Sequence, residues 1–127
     1  MVSTVPFDDF HIEDGSPVYL QIMLFVKRGI VAGSIQNGDE LPSRRVLSSL
    51  LGVNPNTVQK AYRMLEEEGL IQSHTGAKSY VVLDQAKKYR IRAELMEAHA
   101  KATIRAMRQM GISKEEALSV IDRLWES

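Results

Sequence analysis

The sequence has no cysteine, and it lacks several other features that would define a class of protein. Without cysteine there is no disulfide framework and no thiolate metal site. The run IMLFV, residues 22–26, is among its longest apolar runs, far short of the roughly 18 residues of a membrane helix. The N-terminal segment MVSTVPFDDFHIEDG has acids where a secretory signal carries Lys or Arg. These absences predict a soluble, cytoplasmic protein.

Catalytic and metal-binding motifs are also missing. The sequence contains no Gly-rich phosphate loop, no HExxH and no GxSxG, whereas an enzyme needs a convergent nucleophile, base and stabilising group. His11, His74 and His99 each lack a second ligand at metal spacing, so they are interpreted as ordinary core or surface histidines. The chain is therefore predicted not to be an enzyme and to use no cofactor and no metal.

The charged residues sum to zero but are unevenly distributed. A neutral total argues against a nucleic-acid partner. However, residues 41–65 contain Arg44, Arg45, Lys60 and Arg63 and no acid, while Asp and Glu gather in residues 8–14 and 66–68. The positive charge is thus concentrated in one segment of the chain.

Start and stop signals predict three helices in the first half. The first runs from Ser16-Pro17, with Ser16 as the cap, to Gly33, and a short second helix runs from Ser43 to Gly52. The third runs from Asn54 to Gly69, with Pro55 at its first position. Ser and Asn cap free N–H groups, proline is tolerated at the first position, and glycine adopts the left-handed conformation that ends a helix.

The third helix has two different faces. At about 100° per residue, one side carries Val58, Ala61, Tyr62 and Leu65. The other side carries Asn56, Gln59, Lys60 and Arg63. The first face predicts core. The second is either an ordinary solvated helix face or a nucleic-acid contact surface, since Asn and Gln pair with adenine and Lys and Arg with guanine.

The remainder predicts a hairpin followed by two helices. Two β-favouring runs, 70–73 and 79–83, flank residues 74–78. Asp84 can cap a long helix to about Met110, and a capping box at 113–116 starts a last helix. The order predicts a mainly α fold: a winged helix-turn-helix domain over 1–83, with an N-terminal arm at 1–14, and a helical dimerisation region over 84–127.

Three stretches resemble a known family. PVYLQI (17–22), GSIQNGDELPSRRVLSSLLGVNPNTVQKAYRMLEEEGLI (33–71) and GAKSYV (76–81) are similar to the N-terminal domain of GntR-family bacterial transcriptional regulators. The NPNTVxxAY run looks most like the short, YtrA-like branch, whose members carry a small C-terminal helical pair for dimerisation. The resemblance implies a regulator, in this interpretation a repressor, that binds a pseudo-palindromic double-stranded DNA operator as a homodimer.

The resemblance implies DNA contacts by Arg45, by the third helix and by the wing around Gly76. Many members have arginine in place of Pro55 and Gln59, and a second glycine in place of Lys78, whose cation could contact phosphate instead. Together with the basic residues of the same segment, the predicted DNA-contacting set is Arg44, Arg45, Asn54, Asn56, Thr57, Gln59, Lys60, Arg63, Thr75, Gly76 and Lys78.

The C-terminal helices carry apolar stripes that predict a dimer interface, because 44 residues cannot enclose a core alone. The predicted interface comprises Leu95, Ala102, Ala106, Met107, Met110, Leu118, Ile121, Leu124 and Trp125. A methionine-rich stripe could instead line a ligand pocket, so a small-molecule effector stays open. A second hypothesis, permitted by the neutral charge, is a winged helix that binds proteins and not specific DNA.

Overall fold

The structure, a computed structural model, describes residues 3–74 and 78–127. Its elements follow the predicted order with one addition, a strand before the second helix. In this part of the chain they are α1 Val18–Ala32, β1 Glu40–Leu41, α2 Arg44–Leu51, α3 Pro55–Glu67, β2 Ile71–Ser73, β3 Ser79–Val81, α4 Gln85–Gln109 and α5 Lys114–Trp125. The predicted mainly α fold with a small β wing is confirmed.

Most of the predicted helix caps are present. The Ser43 hydroxyl accepts a hydrogen bond from the Val46 amide at 3.1 Å, and the Asn54 side chain accepts one from the Asn56 amide at 2.8 Å. The predicted Ser16 cap is wrong. Pro17 is the N-cap of α1 and has no capping side chain. Instead, the start of α1 is stabilised by the Gln21 side-chain amide, which donates a hydrogen bond to the Ser16 carbonyl at 2.9 Å.

The sheet has three antiparallel strands in the order β1-β3-β2. Tyr80 in the central strand pairs with Glu40 on one side and Gln72 on the other. The predicted hairpin supplies β2 and β3. The third strand, β1, is not predicted from the sequence. Two residues are too few to show the alternation by which a strand is recognised.

The N-terminal arm is tied to this sheet. The Glu40 amide donates a hydrogen bond to the Ser3 carbonyl, and the Glu40 carbonyl accepts one from the Val5 amide, both at 2.8 Å. Val5 and Phe7 are buried, and the Phe7 ring stacks on Phe25 of α1 at a centroid distance of 4.8 Å. The arm therefore contributes both backbone pairing and apolar burial, a role that the sequence analysis does not assign to it.

The chain divides into two compact units, of which the first ends at Ile91 and the second is Arg92–Ser127. The core of the first lies among α1, α2, α3 and the sheet, and Ile91 at the start of α4 completes it. Besides the arm residues, its buried apolar side chains are Ile22, Met23, Val26, Ile30, Ile35, Leu41, Leu47, Val58, Ala61, Tyr62, Leu65, Leu70, Ile71, Val81 and Ile91.

The second unit consists of the rest of α4 and α5. Gly111, in the left-handed region at φ 73°, ends α4, and Ser113 and Glu116 form the predicted capping box that begins α5. No side chain of residues 92–127 is buried in the single chain. Across the described ranges, no helix combines the length and apolarity needed to cross a membrane.

Candidate nucleic-acid interface

A tight connection between α2 and α3 sets the start of the third helix. Gly52 takes a left-handed conformation at φ 69°. The Val53 amide donates to the Ser48 carbonyl at 3.1 Å, and the Ser48 hydroxyl donates to the Val53 carbonyl at 2.6 Å. Asn54 then caps α3 and Pro55 occupies its first turn. The two helices are thus joined by a short turn held by hydrogen bonds to Ser48, as in a helix-turn-helix motif.

Helix α3 buries one face and exposes the other. Its buried residues are Val58, Ala61, Tyr62 and Leu65, as the spacing predicts. The predicted DNA-contacting residues Asn54, Asn56, Gln59, Lys60 and Arg63 are exposed, and Thr57 is half-buried. The exposed face therefore offers amides near the beginning of the helix and cations further along it.

Two of the α3 cations already have contacts within the protein. The Lys60 ammonium lies 4.1 Å from the centre of the Tyr19 ring in α1, within the range of a cation–π interaction. Arg63 Nε lies 3.7 Å from Glu67 Oε1, and both side chains are mostly exposed. An exposed pair of this kind contributes little to stability, so Arg63 can exchange Glu67 for a phosphate at small cost.

The two predicted arginines at the start of α2 differ in environment. Arg45 is exposed, whereas Arg44 is half-buried. The Arg44 guanidinium carbon lies 5.7 Å from the centre of the Tyr62 ring. The first turn of α2 contains no acid, although the positive end of the helix dipole favours acids there. This end of α2 therefore adds two cations to the surface.

Only part of the predicted wing can be placed. Thr75 and Gly76 lie outside the described residues, whereas Lys78 is exposed and its carbonyl accepts from the His74 amide at 2.9 Å. The base of the wing is joined to α3, because the Ser73 amide and hydroxyl both donate to the Glu66 carboxylate, at 3.2 and 3.3 Å.

Two of the three acids at the end of α3 are engaged away from its exposed amides. Glu66 accepts from Ser73, and Glu68 pairs with Lys27 of α1 at 2.8 Å. The exposed polar side chains of residues 41–65 are amides, hydroxyls and cations, which suit a polyanion with hydrogen-bonding base edges. Two apolar side chains of α2, Val46 and Leu50, are exposed in the same segment. Within 3–74 and 78–127 no group of three or more potential ligands could hold a metal ion.

Tyr62 is the principal feature that the sequence analysis misses. Its hydroxyl donates to the Pro42 carbonyl at 2.7 Å, 20 positions earlier in the chain. Burial raises the pKa of the phenol, while the positive charge of Arg44 acts in the opposite direction. Tyr62 therefore remains a hydrogen-bond donor at neutral pH. Its position in an apolar stripe indicates core and gives no sign of this partner.

The predicted dimerisation residues all lie in the second unit, and all have solvent access in the single chain. Leu95 and Met107 are half-buried. The others are exposed: Ala102, Ala106, Met110, Leu118, Ile121, Leu124 and Trp125. Trp125, the only tryptophan, is 79% exposed.

Comparison with known proteins identifies the family. The family model "Bacterial regulatory proteins, gntR family" matches residues 18–81. The uncharacterised regulator YhcF of Bacillus subtilis is 29% identical over 123 residues, covering 93% of this chain and 98% of YhcF. The repressor YtrA of the same organism is 42% identical over 66 residues, covering 52% of this chain and 51% of YtrA.

A solved structure extends the likeness to both units. A GntR-family transcriptional regulator from Listeria monocytogenes superposes with a TM-score of 0.79 at 31% identity, covering 89% of this chain and 99% of its own. These relatives are transcriptional regulators and not enzymes. The chain therefore belongs to the GntR family of bacterial regulatory proteins and carries its DNA-binding helix-turn-helix domain.

Proposed function

We propose that the protein binds a pseudo-palindromic operator as a homodimer and represses transcription from the cytoplasm. The observation that carries this proposal is the exposed face of α3, where Asn56 and Gln59 project from a helix whose other side is buried. In a helix-turn-helix protein the second helix of the motif enters the major groove with its N-terminal residues nearest the bases. These amides occupy that part of α3.

Base recognition is assigned to the amide side chains. An Asn or Gln amide can pair with the N6 and N7 groups of adenine, and each such bidentate pair contributes about 1–3 kcal/mol of discrimination. The Asn54 side-chain oxygen accepts from the Asn56 amide in the helix cap, which holds this side chain against the first turn of α3 and leaves its NH2 group as the freer hydrogen-bonding group. Gln59 and Asn56 are therefore the principal readers, and Thr57 lies beside them.

The cations are assigned to the phosphate backbone. Arg45 and Arg44 lie at the start of α2, and Lys60, Arg63 and Lys78 lie on α3 and the wing. Phosphate contacts fix the orientation of a protein on the duplex and make binding fall steeply with salt. Thr75 and Gly76 retain their assignment as wing contacts.

Dimerisation is assigned to the second unit. Its 36 residues, 92–127, bury no side chain in the single chain, yet they expose large apolar groups such as Ile104, Leu118 and Trp125. A surface of this kind is covered most simply by a second copy, and a two-fold dimer presents two α3 helices to two half-sites. The repressor role is supported by the relative YtrA, which is named a repressor.

Fluorescence anisotropy tests the proposal. The intact protein is titrated onto labelled DNA from upstream of its own operon and onto a scrambled duplex, across a series of salt concentrations. Tight binding to the first duplex alone, with a salt slope that corresponds to several phosphates, is expected. Equal, salt-insensitive affinity for both would refute the proposal and favour the protein-binding winged helix.

Gln59→Ala is expected to change base preference more than overall affinity. Removing the amide eliminates about 1–3 kcal/mol of discrimination at one base pair in each half-site, so duplexes altered at that position become nearly equivalent. The measurement is the protein's affinity for a set of operator duplexes with single base changes.

The matched control for Gln59→Ala is Gln36→Ala, which removes an exposed amide from the turn before β1. This control should leave every relative affinity unchanged. If Gln59→Ala gives the same profile as Gln36→Ala, then Gln59 faces solvent and does not read a base.

A further inference from the structure

Arg44, Tyr62 and Pro42 form a compact group where α2 begins against α3. The Tyr62 hydroxyl donates to the Pro42 carbonyl at 2.7 Å. The Arg44 guanidinium lies over the ring of the same tyrosine at 5.7 Å, within the usual range of a cation–π interaction. One side chain of α3 therefore contacts the chain before α2 and also a cation in the first turn of α2.

The positive charge and the Nε donor of Arg44 have few favourable partners among the described residues. Its Nε atom is buried and has no hydrogen-bond partner there. A cation in the first turn also opposes the helix dipole, and α2 has no acid in that turn. A buried donor without a partner is unfavourable, so this arrangement destabilises the free protein slightly. An anion bound outside the protein would offset the unfavourable charge.

We propose that Tyr62 is a positioning residue for DNA binding, which holds Arg44 ready for one phosphate of the operator. The ring restricts where the guanidinium can lie, and the hydroxyl fixes the chain two residues before it. The remaining guanidinium N–H groups then reach the duplex without first losing the freedom of a long, mobile side chain. This inference rests on the proposed operator binding and adds a residue that does not itself touch DNA.

A double-mutant cycle tests this role. Arg44→Ala, Tyr62→Phe, Tyr62→Leu and the doubles with Arg44→Ala are titrated onto the same upstream duplex across a salt series. Arg44→Ala is expected to weaken binding about fivefold and to reduce the salt slope by about one. Tyr62→Leu, which removes the ring and its hydroxyl, should weaken binding about threefold. Tyr62→Phe, which removes only the hydroxyl, should have a smaller effect.

The readout that identifies positioning is the coupling between the two sites. Once Arg44 is alanine, either Tyr62 substitution should have no further effect on affinity or on the salt slope. Binding is measured well below the unfolding temperature of every variant, so a purely structural loss is separated from a loss at Arg44. Tyr62→Phe retains the buried ring and provides the test if Tyr62→Leu does not fold.

Two further variants separate this inference from the proposed function. Arg45→Ala should weaken operator binding, whereas Arg28→Ala, which removes an exposed cation of α1, should not. If Arg45→Ala weakens binding while Arg44→Ala leaves affinity and slope intact, the Tyr62 role is refuted and operator binding stands. The same refutation follows if the effects of Tyr62 and Arg44 simply add. If the wild-type protein does not distinguish the upstream duplex, the proposed function itself is refuted.

Discussion

Ile121→Glu is expected to convert the proposed dimer into a monomer and to lower operator affinity about 100-fold or more. Ile121 lies in the middle of the α5 stripe formed with Leu118, Leu124 and Trp125, and it is 41% exposed in the single chain. A carboxylate placed in an apolar interface loses hydration without gaining a partner, which costs several kcal/mol. Without a dimer each half-site binds separately, and the roughly 10²–10⁴-fold gain from linking two sites disappears.

Light scattering and anisotropy measure these two effects on one preparation. The matched control is Ser119→Glu, which adds the same charge on the opposite side of α5 by helical spacing, where the residue is exposed. The control should remain dimeric and bind normally. If Ile121→Glu is also dimeric with unchanged affinity, the α5 stripe is not the interface. If it is monomeric but retains full affinity, dimerisation through α5 does not contribute to operator binding.

Local signals predict the helix-turn-helix part of the fold well. Asn54, Pro55 and Gly52 have backbone preferences that act within a few residues, and the structure shows each in the predicted role. The apolar residues of α3 from Val58 to Leu65 recur at helical spacing, and such a stripe is buried against neighbouring helices. Both the helix order and the faces of α3 could therefore be predicted from sequence.

Features that depend on distant partners could not be predicted in this way. Strand β1 exists because Glu40 pairs with Tyr80, a partner 40 positions later in the sequence. The Ser16 prediction failed for a local reason: α1 begins at Val18, one residue later than expected, so Pro17 takes the cap position and Ser16 lies outside it. In the strand, the residue types fit more than one local conformation, and a contact elsewhere in the chain decides between them.

The candidate site shows the same division between local and long-range effects. The exposure of Gln59 follows from helical periodicity. The contacts of Arg44 and Lys60 with tyrosine rings do not follow from periodicity, because Tyr62 and Tyr19 belong to other helices. Sequence therefore predicts which side chains face outward, whereas tertiary contacts decide which of them are held in place. In the Tyr62 proposal, the restriction of Arg44 favours operator binding, because the arginine side chain loses less conformational freedom when it contacts DNA.

Phe7→Ala is expected to lower the free energy of unfolding by about 3–5 kcal/mol, the usual range for a buried phenylalanine. The ring is 3% exposed and stacks on Phe25, with Phe10 completing the cluster. Losing this anchor also weakens the attachment of Ser3 and Val5 to Glu40, because those hydrogen bonds lie a few residues away. Since small domains are stable by about 5–15 kcal/mol, the loss is a large part of the total.

Urea unfolding followed by circular dichroism measures the Phe7 effect, with Ile12→Ala as the matched control. Ile12 is an apolar residue of the same segment but is 45% exposed, so its truncation should change stability by no more than about 0.5 kcal/mol. Phe7→Leu should recover much of the loss, because it refills most of the cavity. A loss below about 1 kcal/mol for Phe7→Ala would mean that the arm is detached in solution. The expected loss would make residues 3–10 part of the DNA-binding domain, so truncating them would destabilise the unit that carries α3.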